Sequence, residues 1–269
     1  MKRLKQAIRA LCAAGQPFAL VSIREGTGSM PRHQGASMLV REDGSIEGSV
    51  GGGVLEAKAI ERAQMAIRER RGGEMPFDLS SADAAESDMI CGGKGVLSVR
   101  FYDGTAEPQD ELREIDDGRM VIFGGGHIAR QLSRLAGLLE IPVTVVEDRE
   151  EYCSPERFPE DERMVVPDYG HIPPMQLGAR DMVVIVTRGH LGDREALLWA
   201  LGTQAGYIGM IGSKRKRDLM YEKMVADGLD PKQLSRVHSP IGLPIGAQTP
   251  EEIAVSIAAE IVAFRNAEA

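Results

Sequence analysis

Met120-Val-Ile-Phe-Gly124-Gly125-Gly126-His127-Ile-Ala129, then an apolar-periodic run, then Pro142-Val-Thr-Val-Val-Glu147-Asp148, decides the fold of the second half of the chain. An apolar strand enters a glycine turn, a helix follows, and a second strand ends on acid. Gly124, Gly126 and Ala129 stand at the G-x-G-x-x-G/A positions. The first permits a tight turn, the second admits a phosphate to the backbone, and the third lets the helix lie close to the strand. Free N–H groups and the positive dipole end of that helix suit an anion. Glu147 and Asp148 lie about 20 residues on, where a ribose-binding acid is expected. The pattern predicts a dinucleotide-type fold with a nucleotide-like ligand in its crevice.

Outward from this unit, strands and helices alternate. Strands are read at 164–166, 182–187 and 207–211. Helices follow at about 193–201, after Arg188-Gly189-His190, and from Lys214-Arg215-Lys216-Arg217 to about Ala226. Asp230-Pro231 opens another helix. Thr249-Pro250-Glu251-Glu252 opens the last one as a capping box, with Ile253, Ile257 and Ile261 on one face. Such alternation predicts a parallel sheet covered on both sides. The ligand crevice of an open sheet lies beyond the strand C-termini. His127, Asp148, His190, and Ser213 with Lys214 collect at that edge. The two histidines and nearby acids are of types that hold metals, but their spacing does not specify one. The Lys214–Arg217 cations stand at the helix end where acids are favoured, which suggests a bound anion or a partner's acidic surface.

The first half reads differently. Lys2 to Ala14 is an amphipathic helix, 17–24 a buried strand, and 36–41 with 45–50 a hairpin turned at Asp43-Gly44 by a two-residue loop. Gly51-Gly52-Gly53 feeds a helix from Val54 to about Arg70, with Glu56 in its first turn. Val96 to Tyr102 closes this half. The expected division is a smaller mixed α/β domain at 1–105, a linker at 106–118 and a Rossmann-like domain at 119–269. Arg32, beside Ser29 and His33 in a glycine-flanked loop, suits a phosphate or carboxylate. Cys91, set against Gly92-Gly93 with Lys94 close by, has the surroundings of a soft-metal ligand or sulfur-handling thiol. A small buried residue in a tight turn is the alternative reading.

Composition bounds the rest. The 269 residues are 43% hydrophobic and only 4% aromatic, with a formal net charge of -8 and a pI near 5.3. The length allows a sizeable core of aliphatic side chains, and no global positive field exists to draw nucleic acid or an anionic membrane. No signal peptide or membrane span is read, and the three cysteines are too scattered for a disulfide framework. A cytoplasmic location is expected.

Together these segments resemble the XdhC/CoxI family of xanthine dehydrogenase accessory proteins. The N-terminal match rests on Gly28-Ser29-Met30-Pro31-Arg32, Gly35-Ala36, Gly48-Ser49-Val50-Gly51-Gly52-Gly53 with Glu56, and Met89-Ile90-Cys91-Gly92-Gly93. The C-terminal match rests on Gly124 to His127, Asp148-Arg149, Gly212-Ser213-Lys214-Arg215-Lys216, Ser239-Pro240-Ile241-Gly242-Leu243 with Gly246-Ala247, and Thr249 to Ala254. Many members carry a cysteine after the glycine turn where this chain has Val54, which leaves Cys91 as the matching thiol. The resemblance implies a protein that binds the molybdenum cofactor, assists its sulfuration and inserts it into a molybdenum hydroxylase apo-enzyme. It also implies a sulfurtransferase (cysteine desulfurase) as a further partner, a homodimer, and no catalysis of its own. Cofactor contacts then fall to Arg32, Gly51, Gly52, Glu56, Cys91, Gly92, Gly124, Gly126, His127, Asp148, His190, Ser213 and Lys214, with Cys91 meeting the metal. A different class, an NAD(P)-dependent oxidoreductase using the same crevice, stays open.

Overall fold

The structure is a computed structural model, and it describes residues 2–28, 35–79, 93–115 and 118–267. The chain divides into two compact units, 1–116 and 117–268, each with its own core.

The first unit is built on α1 (Lys2–Ala13), β1 (Phe18–Thr27), β2 (Ser37–Arg41), β3 (Ile46–Gly48), α2 (Gly53–Glu69), β4 (Gly73–Asp78), β5 (Lys94–Tyr102) and α3 (Gln109–Glu114). Its five strands form one antiparallel sheet in the order β3-β2-β1-β5-β4. α2 packs Leu55, Ala59, Ala63 and Ile67 against the Ala19, Val21 and Ile23 side of the sheet. α1 packs Leu4, Ile8 and Leu11 against Phe18, Leu20 and Leu39. Strand alternation serves both faces, which is why β1 reads as continuously apolar.

Three local features go beyond the sequence reading. The stretch 106–118 is in part the helix α3, and Leu112 and Ile115 are buried with α1. Their apolar side chains recover more by burial than an acidic composition suggests. β4 went unread because Pro76 interrupts it. Proline is tolerated there because β4 is an edge strand, and Met75 and Phe77 still face the core. The β2–β3 turn is longer than two residues. Gly44 N–H donates to Arg41 O, Arg41 N–H donates to Ser45 O, and Gly44 takes φ 84°, the pattern of a type I turn closed by a left-handed glycine.

The second unit runs β6 (Met120–Phe123), α4 (His127–Leu138), β7 (Val143–Glu147), β8 (Glu162–Val165), β9 (Met182–Ile185), α5 (His190–Leu201), β10 (Tyr207–Met210), α6 (Lys214–Ala226), α7 (Pro231–Leu234), β11 (Val237–His238) and α8 (Pro250–Ala267). All six strands are parallel, in the order β11-β10-β9-β6-β7-β8. Met120 and Ile122 face α4 and α8, where Leu132, Ala136, Ile257 and Ile261 meet them. Val121 and Phe123 face the other way, toward Ala196, Leu197 and Ala200 of α5. β11, two residues long, carries too short a pattern to be read as a strand beforehand. The chain leaves β6 toward β7 on one side and returns to β9 on the other, so β6 and β9 flank the topological switch point. Mixed α/β architecture with a C-terminal Rossmann domain is therefore established.

Candidate functional site

At the C-terminal end of β6 the glycines have separate duties. A Cβ on Gly124 would lie 2.5 Å from Val186 O, and one on Gly125 would run into Tyr152 O. Neither position has room for a side chain. A Cβ on Gly126 would meet nothing within 4 Å. Gly126 is also the N-cap of α4, and no side chain caps that helix. An open backbone position at the head of an uncapped helix leaves N–H groups free to meet an anion such as a phosphate. The residues thus fit a phosphate-bearing group. Ala129, fully buried, sits where the helix meets the sheet.

The acids after β7 also divide. Glu147 is 1% exposed. It turns back to accept from Gly125 N–H at 2.5 Å through Oε2, and from Arg149 Nε at 2.8 Å through Oε1. Burial and the neighbouring Asp148 carboxylate push Glu147 above the ordinary carboxylate range, and Arg149 and the Gly125 amide oppose the rise. Arg149 in turn lies 3.7 Å above the Tyr152 ring, and Arg157 Nη2 donates to Gly125 O at 2.8 Å. Glu147 is therefore a strut of the glycine turn. Asp148 is ion-paired on both oxygens: Oδ1, shut from solvent and accepting no hydrogen bond, lies 3.5 Å from Arg149 Nε, and Oδ2 lies 3.6 Å from Arg188 Nη2. Arg188 follows β9, so this pair spans the switch point. Arg157 and Arg188 carry no motif of their own, and nothing in the sequence beside Arg149 betrays its role. The partners of Arg157 and Arg188 lie elsewhere along the chain, so composition and spacing could not find them.

The other expected residues are placed as follows. His127 is the first residue of α4 and exposed. His190 is the first residue of α5, whose N-cap is Gly189. Asp193, in the first turn of α5, accepts from Thr187 Oγ1 at 2.6 Å. Ser213 caps α6 by accepting from Lys216 N–H at 3.3 Å. Lys214, Arg215 and Lys216 are exposed, whereas Arg217 is engaged with Ser239 O and Asp218. The sheet order puts Asp148, the glycine turn, Arg188 with His190, and Ser213 with Lys214 behind four successive strands, β7, β6, β9 and β10. Among the described residues, no group of three or more His, Cys, Asp and Glu could hold a metal, and no helix is long and apolar enough to cross a membrane.

In the first unit Gly52 is the N-cap of α2 with φ 73° and open space about it. Gly51 N–H donates to Ser49 Oγ, and Ser49 Oγ donates to Glu56 Oε2 at 2.6 Å. Glu56 is thus tied into the turn it follows. Val54 is 38% exposed. Lys94 pairs with Asp78 at 2.7 Å. Arg32, Cys91 and Gly92 lie outside the described residues.

Comparison with known proteins places this geometry. The XdhC Rossmann domain matches residues 120–261, and the XdhC and CoxI family matches residues 11–78. Among curated relatives, an uncharacterized Escherichia coli protein, YqeB, is 35% identical over 93% of this chain, which spans only 44% of that protein. A Bacillus subtilis protein described as a probable xanthine dehydrogenase subunit is 24% identical, with 96% of each chain covered. A solved Bacillus halodurans structure described as a xanthine dehydrogenase shares the fold, with a TM-score of 0.76 at 24% identity over 98% of this chain and 96% of that one. With its C-terminal sheet, glycine turn and both matched regions in one order, the chain belongs to the XdhC and CoxI family.

Proposed function

We propose that this chain is an accessory protein of a xanthine dehydrogenase-type molybdenum hydroxylase, one that holds the molybdenum cofactor, assists its sulfuration and delivers it to the apo-enzyme. The observation that carries the reading is the open Gly126 position at the head of the uncapped helix α4. It suits the phosphate end of the cofactor, or the diphosphate of a nucleotide extension. When bound, the cofactor supplies the molybdenum chemistry; the chain's own groups bind and orient it. The relation to proteins named for xanthine dehydrogenase supports the choice of client. Cys91 is assigned the metal-side contact and Arg32, Gly51, Gly52, Glu56 and Gly92 the surroundings of that contact, by resemblance. A cysteine desulfurase as sulfur donor, a homodimer and a cytoplasmic setting belong to the same reading.

The test is co-production with cofactor-making machinery, followed by assay of bound molybdenum and pterin and of activation of an apo-hydroxylase. Wild-type protein retains both and activates the client, whereas Gly126→Val, folded, retains less. Equal retention by the variant would overturn the role of the glycine turn, and absence of cofactor from the wild type would overturn the chaperone reading. A second reading, an NAD(P)-dependent oxidoreductase, is favoured by Asp148 alone. Substrate-dependent change in nicotinamide absorbance would support it.

A further inference from the structure

We propose that Arg157 is a positioning residue of the phosphate site: its guanidinium does not reach the ligand but fixes and polarises the Gly125–Gly126 peptide, whose N–H meets the anion. This rests on the reading of Gly126 as the phosphate position and adds how that position is prepared. The carbonyl end of the peptide is Gly125 O, and it accepts from Arg157 Nη2 at 2.8 Å. The N–H end belongs to Gly126, the N-cap of α4, where no side chain caps the helix. That N–H is one of the free donors of the helix head. A cation on the carbonyl draws electron density from the amide nitrogen, so the N–H becomes a stronger donor. Arg157 is half-buried, and such polarisation is greater there than in water.

Geometry holds the peptide as well as charge. Glycine has the widest backbone freedom of any residue, yet every side of Gly125 is occupied. Its N–H donates to Glu147 Oε2, its Cα lies against the Tyr152 carbonyl, and its own carbonyl is on Arg157. Arg157 is itself anchored. Arg157 N–H and Phe158 N–H both donate to Ser154 O at 3.1 Å, and Phe158 is fully buried in the core beside α4. The Arg157 guanidinium lies 5.0 Å from the Tyr152 ring, and that of Arg149 lies 3.7 Å from the same ring. Arg149 cannot replace Arg157 on the carbonyl while its Nε is on Glu147. A direct contact with the ligand is the rival role. Arg157 Nε is shut from solvent and Nη2 is on Gly125 O, so neither donor is offered to the crevice.

The experiment titrates the purified full-length chain with inorganic pyrophosphate by calorimetry. It also follows the Gly126 amide by nuclear magnetic resonance after isotopic labelling of the glycines, the signal being identified by its loss in Gly126→Ser. Arg157→Met keeps an apolar stem beside Tyr152 and removes both charge and donor. Arg157→Lys returns the charge. Arg157→Met should weaken pyrophosphate binding about threefold to tenfold and move the Gly126 amide proton of the ligand-free chain upfield. Arg157→Lys should recover most of both. Trp199 fluorescence melts establish that each variant is folded at the titration temperature. Wild-type affinity in folded Arg157→Met overturns the proposal. Lost affinity with an unmoved Gly126 amide also overturns it, and makes Arg157 a direct partner of the ligand. Failure of Arg157→Lys to recover either reading reduces Arg157 to a structural tie and overturns it as well. If pyrophosphate binds wild type and not Gly126→Val while Arg157→Met changes nothing, only this proposal falls. If pyrophosphate does not bind wild type, the reading of Gly126 falls with it.

Discussion

Gly125 and Gly126 are adjacent, identical in type and opposite in function. Gly125 holds its Cα against the Tyr152 carbonyl, so Gly125→Ala forces backbone against backbone and should cost about 2 kcal/mol or more in denaturant unfolding. Gly126 faces open space in an extended conformation that any residue adopts, with φ -71° and ψ -167°. Gly126→Ser should cap α4 and leave stability unchanged or raise it by a few tenths of a kcal/mol, while lowering pyrophosphate affinity because its hydroxyl takes up an amide. Parallel melts and calorimetric titrations of the two variants check the pair; equal effects on stability would refute the division. That a glycine fingerprint lies at 124–126 was legible from spacing. Which glycine is for the fold and which for the ligand was not, because that depends on Tyr152 and Val186, each far along the chain from the glycine it crowds.

At the scale of elements, α8 and α6 begin in opposite ways. Glu252 accepts from the Gln248 and Thr249 amides, and Glu252 N–H donates to Thr249 Oγ1, so the capping box read from sequence is formed. Those two backbone hydrogen bonds lower the Glu252 carboxyl below its usual range. A depressed folded-state value means the unfolded chain binds the proton more readily. The cap's contribution is therefore complete above the unfolded carboxyl range near 4.5 and fades as pH falls through the lower, folded value. Hydrogen-exchange protection at Gln248 and Thr249 should decline on acidification in that window, and Glu252→Gln should flatten the dependence. α6 has Ser213 as cap but cations at Lys214, Arg215 and Lys216, against the dipole. Lys214→Glu with Arg215→Glu should stabilise α6 by roughly 0.3–1 kcal/mol per site and weaken binding of pyrophosphate or an acidic partner. Higher stability with unchanged binding would make the cluster a solvated face only. Amphipathic helices and caps were readable because their signals are local. Edge strand β4 and helix α3 were not, since their burial is decided by β5 and α1.

The whole molecule comprises two units with separate cores, which should unfold as two cooperative entities. The one tryptophan of the chain, Trp199, stacks edge-on with Phe123 at 5.2 Å inside the second unit. Its fluorescence reports on that unit, while far-ultraviolet circular dichroism reports on both. A ligand of the Rossmann crevice should stabilise that unit by mass action, by about 2.7 kcal/mol at a hundredfold excess over Kd, and so raise the fluorescence midpoint. A dichroism component from the first unit should stay where it is. Coincident transitions shifting together with ligand would show the units to be thermodynamically coupled.

Period and punctuation in the sequence by themselves determined the strand–turn–helix order, the parallel sheet and the position of the glycine turn. These follow from local propensity and from apolar patterns that one stretch carries alone. Only the tertiary structure decided the roles. Glu147 became a strut because Gly125 N–H lies within its reach, and Asp148 met Arg188 arriving from the far side of the switch point. The reason is physical: a hydrogen bond or a steric limit is set by distance in space, and residues 22 or more positions apart meet here only because the strands pair.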